Sequence, residues 1–195
     1  ASELGIPGGD PAGAWEVIQR GNTVSVDLPM ANGTYFIQLA GVGLDAEVVR
    51  QTTPDSKRAL GPLSYLLTLA QVAATKPPPV VVEDGSGVRR EGSFVLIGNG
   101  RFYGGPFPLF KNASMGDGLL DVVVFKNQSH WDVARYFQAI AFGTHPGLPD
   151  VEYFQTAYAR ISSCGGVPVE LDGEIACELP CEFRVPERRL RVLAP

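Results

Sequence analysis

A chain of 195 residues with 45% apolar and 19% charged residues has the balance of an ordinary globular domain and enough length for a real core. Its net charge of −5 and lack of any Lys/Arg block exclude nucleic acid as a partner and speak against tight electrostatic binding to an anionic membrane. With 23 glycines and 16 prolines, turns must be frequent, which favours many short strands over long helices. In chain order, residues 11–20 read as a short helix with Pro11 in its first turn and Gly21 ending it. "TVSVDLPM" (23–30) alternates as a half-buried strand does, "ANG" (31–33) is a hairpin turn, and "TYFIQLAGVG" (34–43) is the partner strand. "LDAEVVRQ" (44–51) has helical composition. "SKRALGPLSYLLTLAQVAAT" (56–75) carries an apolar stripe at helical spacing, stopped by Pro77-Pro78-Pro79. "VVVED" (80–84) and "VRREGSFVLIGN" (88–99) flank the turn "GSG" and predict a hairpin. "RFYGGPFPLFKNASMGDG" (101–118) is loop-rich, and "LLDVVVF" (119–125) is a buried strand by its β-branched run. Residues 129–143 predict a helix, with Ser129 as N-cap and Gly143 closing it. Strands return over 156–164, 167–178 and 181–195.

This order, strand-turn-strand with only two or three helices, predicts a mainly β domain: an antiparallel two-sheet sandwich decorated by helices, not a parallel α/β sheet. The whole of 1–195 reads as a single domain. The three cysteines (Cys164, Cys177, Cys181) lack Cys-x-x-Cys spacing and only two histidines accompany them, so neither a disulfide framework nor a zinc site is expected. Reduced thiols in a cytosolic protein are expected instead. No apolar run approaches the ~20 residues that span a bilayer, and no signal peptide is visible. The chain opens without Met, on "ASELGIPGGDPAGAWEVIQRG", and reads as the middle of a longer protein.

Four stretches could carry chemistry. In "VELDGEIACELP" (169–180), Asp172 and Glu174 flank one glycine. Asp-Gly is a hairpin signal, and the same tight turn projects carboxylates from a rigid strand end, where one can serve as a general base and the other as a metal or nucleotide ligand. In "NASMGDGLLDV" (112–122), Asp117 beside free loop carbonyls could hold a hard cation such as Mg²⁺ or Ca²⁺, or simply build a turn. In "GNGRFYGGPFP" (98–108), Asn99 and four glycines allow a backbone to approach a ligand closely; the Lys and Ser/Thr of a phosphate loop are missing. In "GVGLDAEVV" (41–49), Asp45 either caps a helix or meets a polar head group.

Taken in order, "LGIP…AWEVIQRG…VDL", "YFIQLAGVGLDAEVV", "KRALGPLSYLL", "GNGRFYGGPFPLFKNASMGDGLLDVVVF", "VPVELDGE" and "PCEFRVPERRLRVLAP" resemble the C-terminal part of the diacylglycerol kinase / sphingosine kinase-like lipid kinases, including the bacterial soluble members. The resemblance runs along nearly the whole chain. It implies a two-domain kinase in which an N-terminal α/β domain with a Gly-Gly-Asp-Gly-Thr motif binds ATP, and a C-terminal sandwich completes the cleft and holds lipid. The N-terminal domain is absent here, so the resemblance implies a fragment inactive alone, whose partners are that nucleotide-binding domain, a lipid substrate and, transiently, a membrane surface. Homodimerisation stays open. It further implies that Asp172 deprotonates the lipid hydroxyl and that Glu174 lies near nucleotide or Mg²⁺. Asp45 would face the acceptor's polar head, and Asn99, Gly104 and Gly105 would line the cleft. Asp117, with main-chain oxygens of Ser114 and Leu119, would form a structural metal site. The chemistry suits the fold, because phosphoryl transfer needs positioning, Mg²⁺ and charge neutralisation, a carboxylate assists a poorly nucleophilic alcohol, and an acyl chain needs an apolar slot. The competing expectations are a non-catalytic lipid- or partner-binding module and a β-sandwich glycosidase. The glycosidase fits poorly, since its two acids must stand about 5–10 Å apart across a sugar-sized cleft.

Overall fold

The computed structural model describes residues 2–6, 9–51, 78–103 and 107–195; the helix predicted over 56–75 lies outside them. Helix α1 (Pro11–Arg20) begins where Asp10 accepts from the Gly13 N–H at 2.9 Å and ends at Gly21 in the left-handed conformation, the proline-in, glycine-out signature of the sequence. Helix α2 (Leu44–Gln51) and helix α3 (His130–Ala141) also fall where the sequence puts them. A reciprocal Ser129–Asp132 capping box starts α3 and satisfies two of its orphan N–H groups.

The strands are β1 (Thr23–Asp27), β2 (Met30–Ala31), β3 (Thr34–Tyr35), β4 (Leu39–Val42), β5 (Val80–Asp84), β6 (Arg89–Gly92), β7 (Phe94–Gly98), β8 (Leu120–Phe125), β9 (Val151–Thr156), β10 (Tyr158–Ser163), β11 (Pro168–Leu171), β12 (Glu174–Glu178), β13 (Cys181–Arg184) and β14 (Arg189–Leu193). They form two six-stranded antiparallel sheets, ordered β3-β2-β13-β10-β5-β6 and β12-β11-β4-β7-β8-β9, and a two-stranded ribbon β1-β14. One core fills the space between the sheets, with Val82, Ile161 and Phe183 from the first and Val42, Ile97, Val122 and Val169 from the second. A second core packs the outer face of the second sheet, through Leu96, Val123 and Phe125, against Leu44 and Val48 of α2 and Val133, Tyr136 and Ile140 of α3. Strand β8 is therefore buried at all six positions, which explains the apolar run over 122–125; Asp121, buried beside it, accepts from Tyr153 and Gln155. Each such Val or Leu contributes about 1.5–3 kcal/mol by leaving water.

Two predicted strands divide. Residues 88–99 break at Ser93: β6 belongs to the first sheet and β7 to the second. The chain crosses because Gly92 presses on its neighbours, and a Cβ there would sit 2.6 Å from the Val124 side chain and 2.8 Å from the Phe125 carbonyl oxygen. Residues 34–43 divide in the same way, β3 ending after two residues and β4 resuming at Leu39 in the other sheet. The hairpin turn ahead of them is as expected, with Asn32 and Gly33 both at positive φ. Strand β9 was not foreseen as a separate element; it pairs along the whole of β8 at the sheet edge. The three cysteines are free thiols.

Candidate functional site

Strand β4 carries Gly41, and Gly43 follows its last residue. Gly43 (φ +85°) turns the chain into α2, and its carbonyl accepts from the Glu47 N–H at 2.8 Å, so Asp45 lies in the first turn of that helix. Beside β4 runs β11, registered so that Glu170 stands opposite Gly41 and Leu171 opposite Ala40. Val169 and Leu171 enter the inter-sheet core, so Glu170, on the alternate face, points toward α2. Both acids converge on the bare face of Gly41. A Cβ there would meet Oδ2 of Asp45 at 2.4 Å and Oε1 of Glu170 at 2.8 Å, so the position admits no side chain.

The Asp45 carboxyl accepts the Tyr103 hydroxyl on Oδ1 at 2.5 Å, and its Oδ2 converges with Oε1 of Glu170 on Gly41. Burial raises its pKa, against the pull of the Tyr103 hydroxyl and the neighbouring Glu170. Glu170 is 1% exposed. Burial first, then the Asp45 charge, pushes it up to about 8. Tyr103 is raised well above the ordinary phenol range by burial and by the Asp45 charge. Glu170 also reaches the turn beyond β11, its Oε2 accepting from the Gly173 N–H at 2.7 Å.

That turn, between β11 and β12, has Asp172 (φ +50°) and Gly173 (φ +91°) both in the left-handed region, the conformation of a two-residue hairpin loop. The exposed Asp172 side chain does more than build the turn. Oδ2 accepts from the Ile37 N–H at 2.7 Å, and Oδ1 from Gln38 at 2.9 Å and Leu39 at 3.1 Å, clasping the segment where the chain crosses from β3 to β4. Glu174 opens β12 and is exposed.

Asn99 is fully buried. Its amide donates to the carbonyls of Asp27 at 3.2 Å and Ile37 at 2.8 Å, so it braces the crossing segment from behind. Gly104 and Gly105 lie outside the described residues. Asp117 uses Oδ1 to accept from the Leu119 N–H at 3.0 Å, and its own N–H reaches the Ser114 carbonyl at 3.4 Å. The loop 114–119 is pinned by a residue that sequence reasoning did not single out: Asp27, 1% exposed, pairs with Arg189 at 3.1 Å and accepts from the Gly118 N–H at 2.7 Å. Arg189 in turn donates to the Gly116 carbonyl at 3.0 Å. Among the described residues no three His, Cys, Asp or Glu side chains cluster as metal ligands. What the loop offers is one carboxylate oxygen of Asp117 and nearby carbonyls, an all-oxygen set that suits a hard cation retaining several waters.

The structure thus joins Asp45 and the Asp172 turn into one connected site through Glu170, and sets Asp117 in a separate loop held by Asp27. Against the first of these lies a narrow cavity of about 30 Å³ between the second sheet and α3, lined by Leu44, Phe94, Leu96, Phe125, Val133, Tyr136 and Ile140, with Asp45 and Tyr103 in its wall. Glu170, Tyr103 and Asp27 were the residues missed. Glu170 sits where alternation predicts solvent, and only the covering helix makes it buried.

The architecture is a two-sheet antiparallel sandwich with an acid pair beside a strand end and a small apolar cavity beneath a helix. The sequence model of the YegS C-terminal NAD kinase beta sandwich-like domain matches residues 38–194, and the chain belongs to that family. It is 29% identical to a protein named diacylglycerol kinase from Mycobacterium tuberculosis, over all of this chain and 65% of the relative, and 28% identical to one from Staphylococcus aureus, over 98% of this chain and 61% of the relative. The chain therefore spans about two thirds of the length of these relatives. A crystal structure of a Bacillus anthracis protein provisionally named a diacylglycerol kinase superposes over the whole chain and 64% of that protein, with TM-score 0.78 and 25% identity. A second from the same organism, at TM-score 0.73 and 22% identity, shares the fold.

Proposed function

We propose that this chain is the acceptor-binding part of an ATP-dependent kinase that phosphorylates the hydroxyl of a lipid alcohol of the diacylglycerol kind. One observation carries the reading: the apolar cavity has Asp45 in its wall, Asp45 meets Glu170 at Gly41, and Glu170 accepts from the turn bearing Asp172 and Glu174. The names of the relatives support the same chemistry.

In this reading Asp45 receives the acceptor's polar head and the acyl chain enters the slot by displacing α3 outward. Oδ2 of Asp172, with one donor, keeps a lone pair for the reacting hydroxyl, since a carboxylate oxygen can accept twice. The exposed Glu174 faces the Mg²⁺-nucleotide. A nucleotide-binding domain outside this chain supplies most of the ATP contacts, and the lipid is met at a membrane surface. No helix among the described residues is long and apolar enough to cross a membrane. When a hard cation is bound at the 114–119 loop, Asp117 and the carbonyls of Ser114 and Leu119 hold it, and it stiffens that loop.

The test is phosphate transfer from labelled ATP to diacylglycerol in mixed micelles, with this chain joined to an upstream nucleotide-binding domain. The joined protein is expected to transfer phosphate, the chain alone is not, and Asp172→Asn should lower kcat about 10²-fold or more, the scale of general-base assistance. Transfer undiminished in Asp172→Asn would remove that residue's role. Lipid binding without transfer would turn the reading into a binding module.

A further inference from the structure

Glu170 poses a problem of counting. Treated as two carboxylates, Asp45 and Glu170 are both acceptors, and Oε1 of Glu170 is a buried oxygen with no donor. Such a group costs on the order of 1–3 kcal/mol, more if charged. A second negative charge beside Asp45 in this dry position costs more still. One proton between them resolves both faults, since the O–H of either acid then donates to the other.

We propose that Glu170 is the positioning residue of the acceptor site: its carboxyl, sharing one proton with Asp45 and accepting from Gly173, locks the head-group acid and the Asp172 turn into a single rigid unit. The geometry is specific to these residues. Register places Glu170 across from Gly41, the missing side chain of Gly41 makes the room, and the second oxygen of each acid is anchored elsewhere, on Tyr103 for Asp45 and on Gly173 for Glu170. The groups facing Glu170 are Asp45 from α2, Tyr103 from the loop after β7, and Asp172 from the turn. Strand β4 presents no titratable side chain, and the residue opposite on β12 is Ile175. The charged groups acting on Glu170 are thus acids, Asp45 and then Asp172, which with burial favour the protonated form near neutrality.

This assignment rests on the kinase reading for its catalytic meaning, and the experiment keeps the two apart. Infrared titration of this chain is expected to show the carbonyl stretch of a protonated carboxylic acid at about pH 6, lost as the pH passes about 8 and absent from Glu170→Gln. A folded wild type without that band, or a band that survives in Glu170→Gln, overturns the proposal. Should Glu170→Gln fail to fold, the same comparison is made with Glu170→Leu, because burial also raises the Asp121 carboxyl and the band must be shown to belong to Glu170.

The second arm uses the joined kinase. Wild-type kcat/KM for the lipid alcohol should fall about tenfold between about pH 8 and pH 9 to 9.5. Glu170→Gln, whose amide both donates to Asp45 and accepts from Gly173, should flatten that limb, whereas Glu170→Leu should raise KM at every pH. An alkaline limb unchanged in Glu170→Gln also counts against the shared proton. Absence of transfer in every variant, with the infrared band intact, condemns the kinase reading and leaves the acid pair standing.

Discussion

Asp150 and Asp45 each accept a tyrosine hydroxyl, Tyr136 at 2.7 Å and Tyr103 at 2.5 Å, yet their surroundings settle their charge in opposite directions. Asp150 adjoins the Arg135 guanidinium, one of whose N–H groups donates to it at 3.0 Å. That contact, helped by Tyr136 and Asn127, holds its carboxyl well below the usual carboxylate range. Asp45 has a second acid in the place of the cation, and burial raises it. The first arrangement fastens α3 to the start of β9 and has no need of a ligand. The second sets an acid pair beside an apolar cavity, an expensive arrangement for stability alone. A raised acid facing a second acid, rather than a cation, is what marks the candidate site.

The largest expected effect comes from Gly41→Ala. The new methyl would lie 2.4 Å from Asp45 Oδ2, and overpacking of a full interior costs about 1–3 kcal/mol, here with the separation of the acids added. Urea unfolding should place the loss near the top of that range, with the infrared band of the acid pair abolished. Next, Asp27→Ala removes the partner of Arg189 and the acceptor of the Gly118 N–H. A loss of about 2 kcal/mol is expected, since hydrogen bonds to a charged group are worth about 1.5–3 kcal/mol, together with faster amide exchange across 114–119.

The two carboxyls should also part company along the pH axis. Asp150, depressed when folded, contributes stability above the ordinary carboxylate value that is lost on acidification, so Asp150→Asn should flatten the acid limb of the melting-temperature profile. Glu170, raised to about 8, keeps its proton on folding and releases it on unfolding above about pH 4.5, so stability falls as pH rises from there toward 8 and then levels off. Glu170→Gln should erase that slope and leave the acid limb untouched. Equal effects of both variants on both limbs would erase the distinction. The smallest effect is expected for Ser129→Ala, about 1 kcal/mol from the lost cap of α3, measurable by thermal unfolding and without influence on either limb.

Local chemistry was legible in the sequence where the residues themselves enforce it. Asn32-Gly33 and Asp172-Gly173 announced their hairpins, Ser129 with Asp132 announced a helix start, and β8 announced double-sided burial by its run of valines. Less legible was the step at Ser93 and the one at 36–38, because alternation continues unbroken while the chain changes sheets. What marks the first step is the contact of Gly92 with Val124, made by residues more than thirty positions apart. Glu170 stayed hidden for a related reason: a strand residue opposite the core face reads as solvated until α2, folded from residues far upstream, is laid over it. Asp45 and Asp172 were named separately from the sequence, and the bridge between them was not visible there. The fold class, by contrast, followed from the order of the elements, strand-turn-strand with few helices between.

The pairing of Asp27 with Arg189 gives the protein a late fastening. In chain order β1 precedes the 114–119 loop, yet the guanidinium that secures both belongs to β14, which follows them. Until that strand arrives, the buried carboxylate has no cation and the loop no clamp. A chain stalled before residue 189 would thus carry a sandwich with its ribbon unzipped and the 114–119 loop without its clamp.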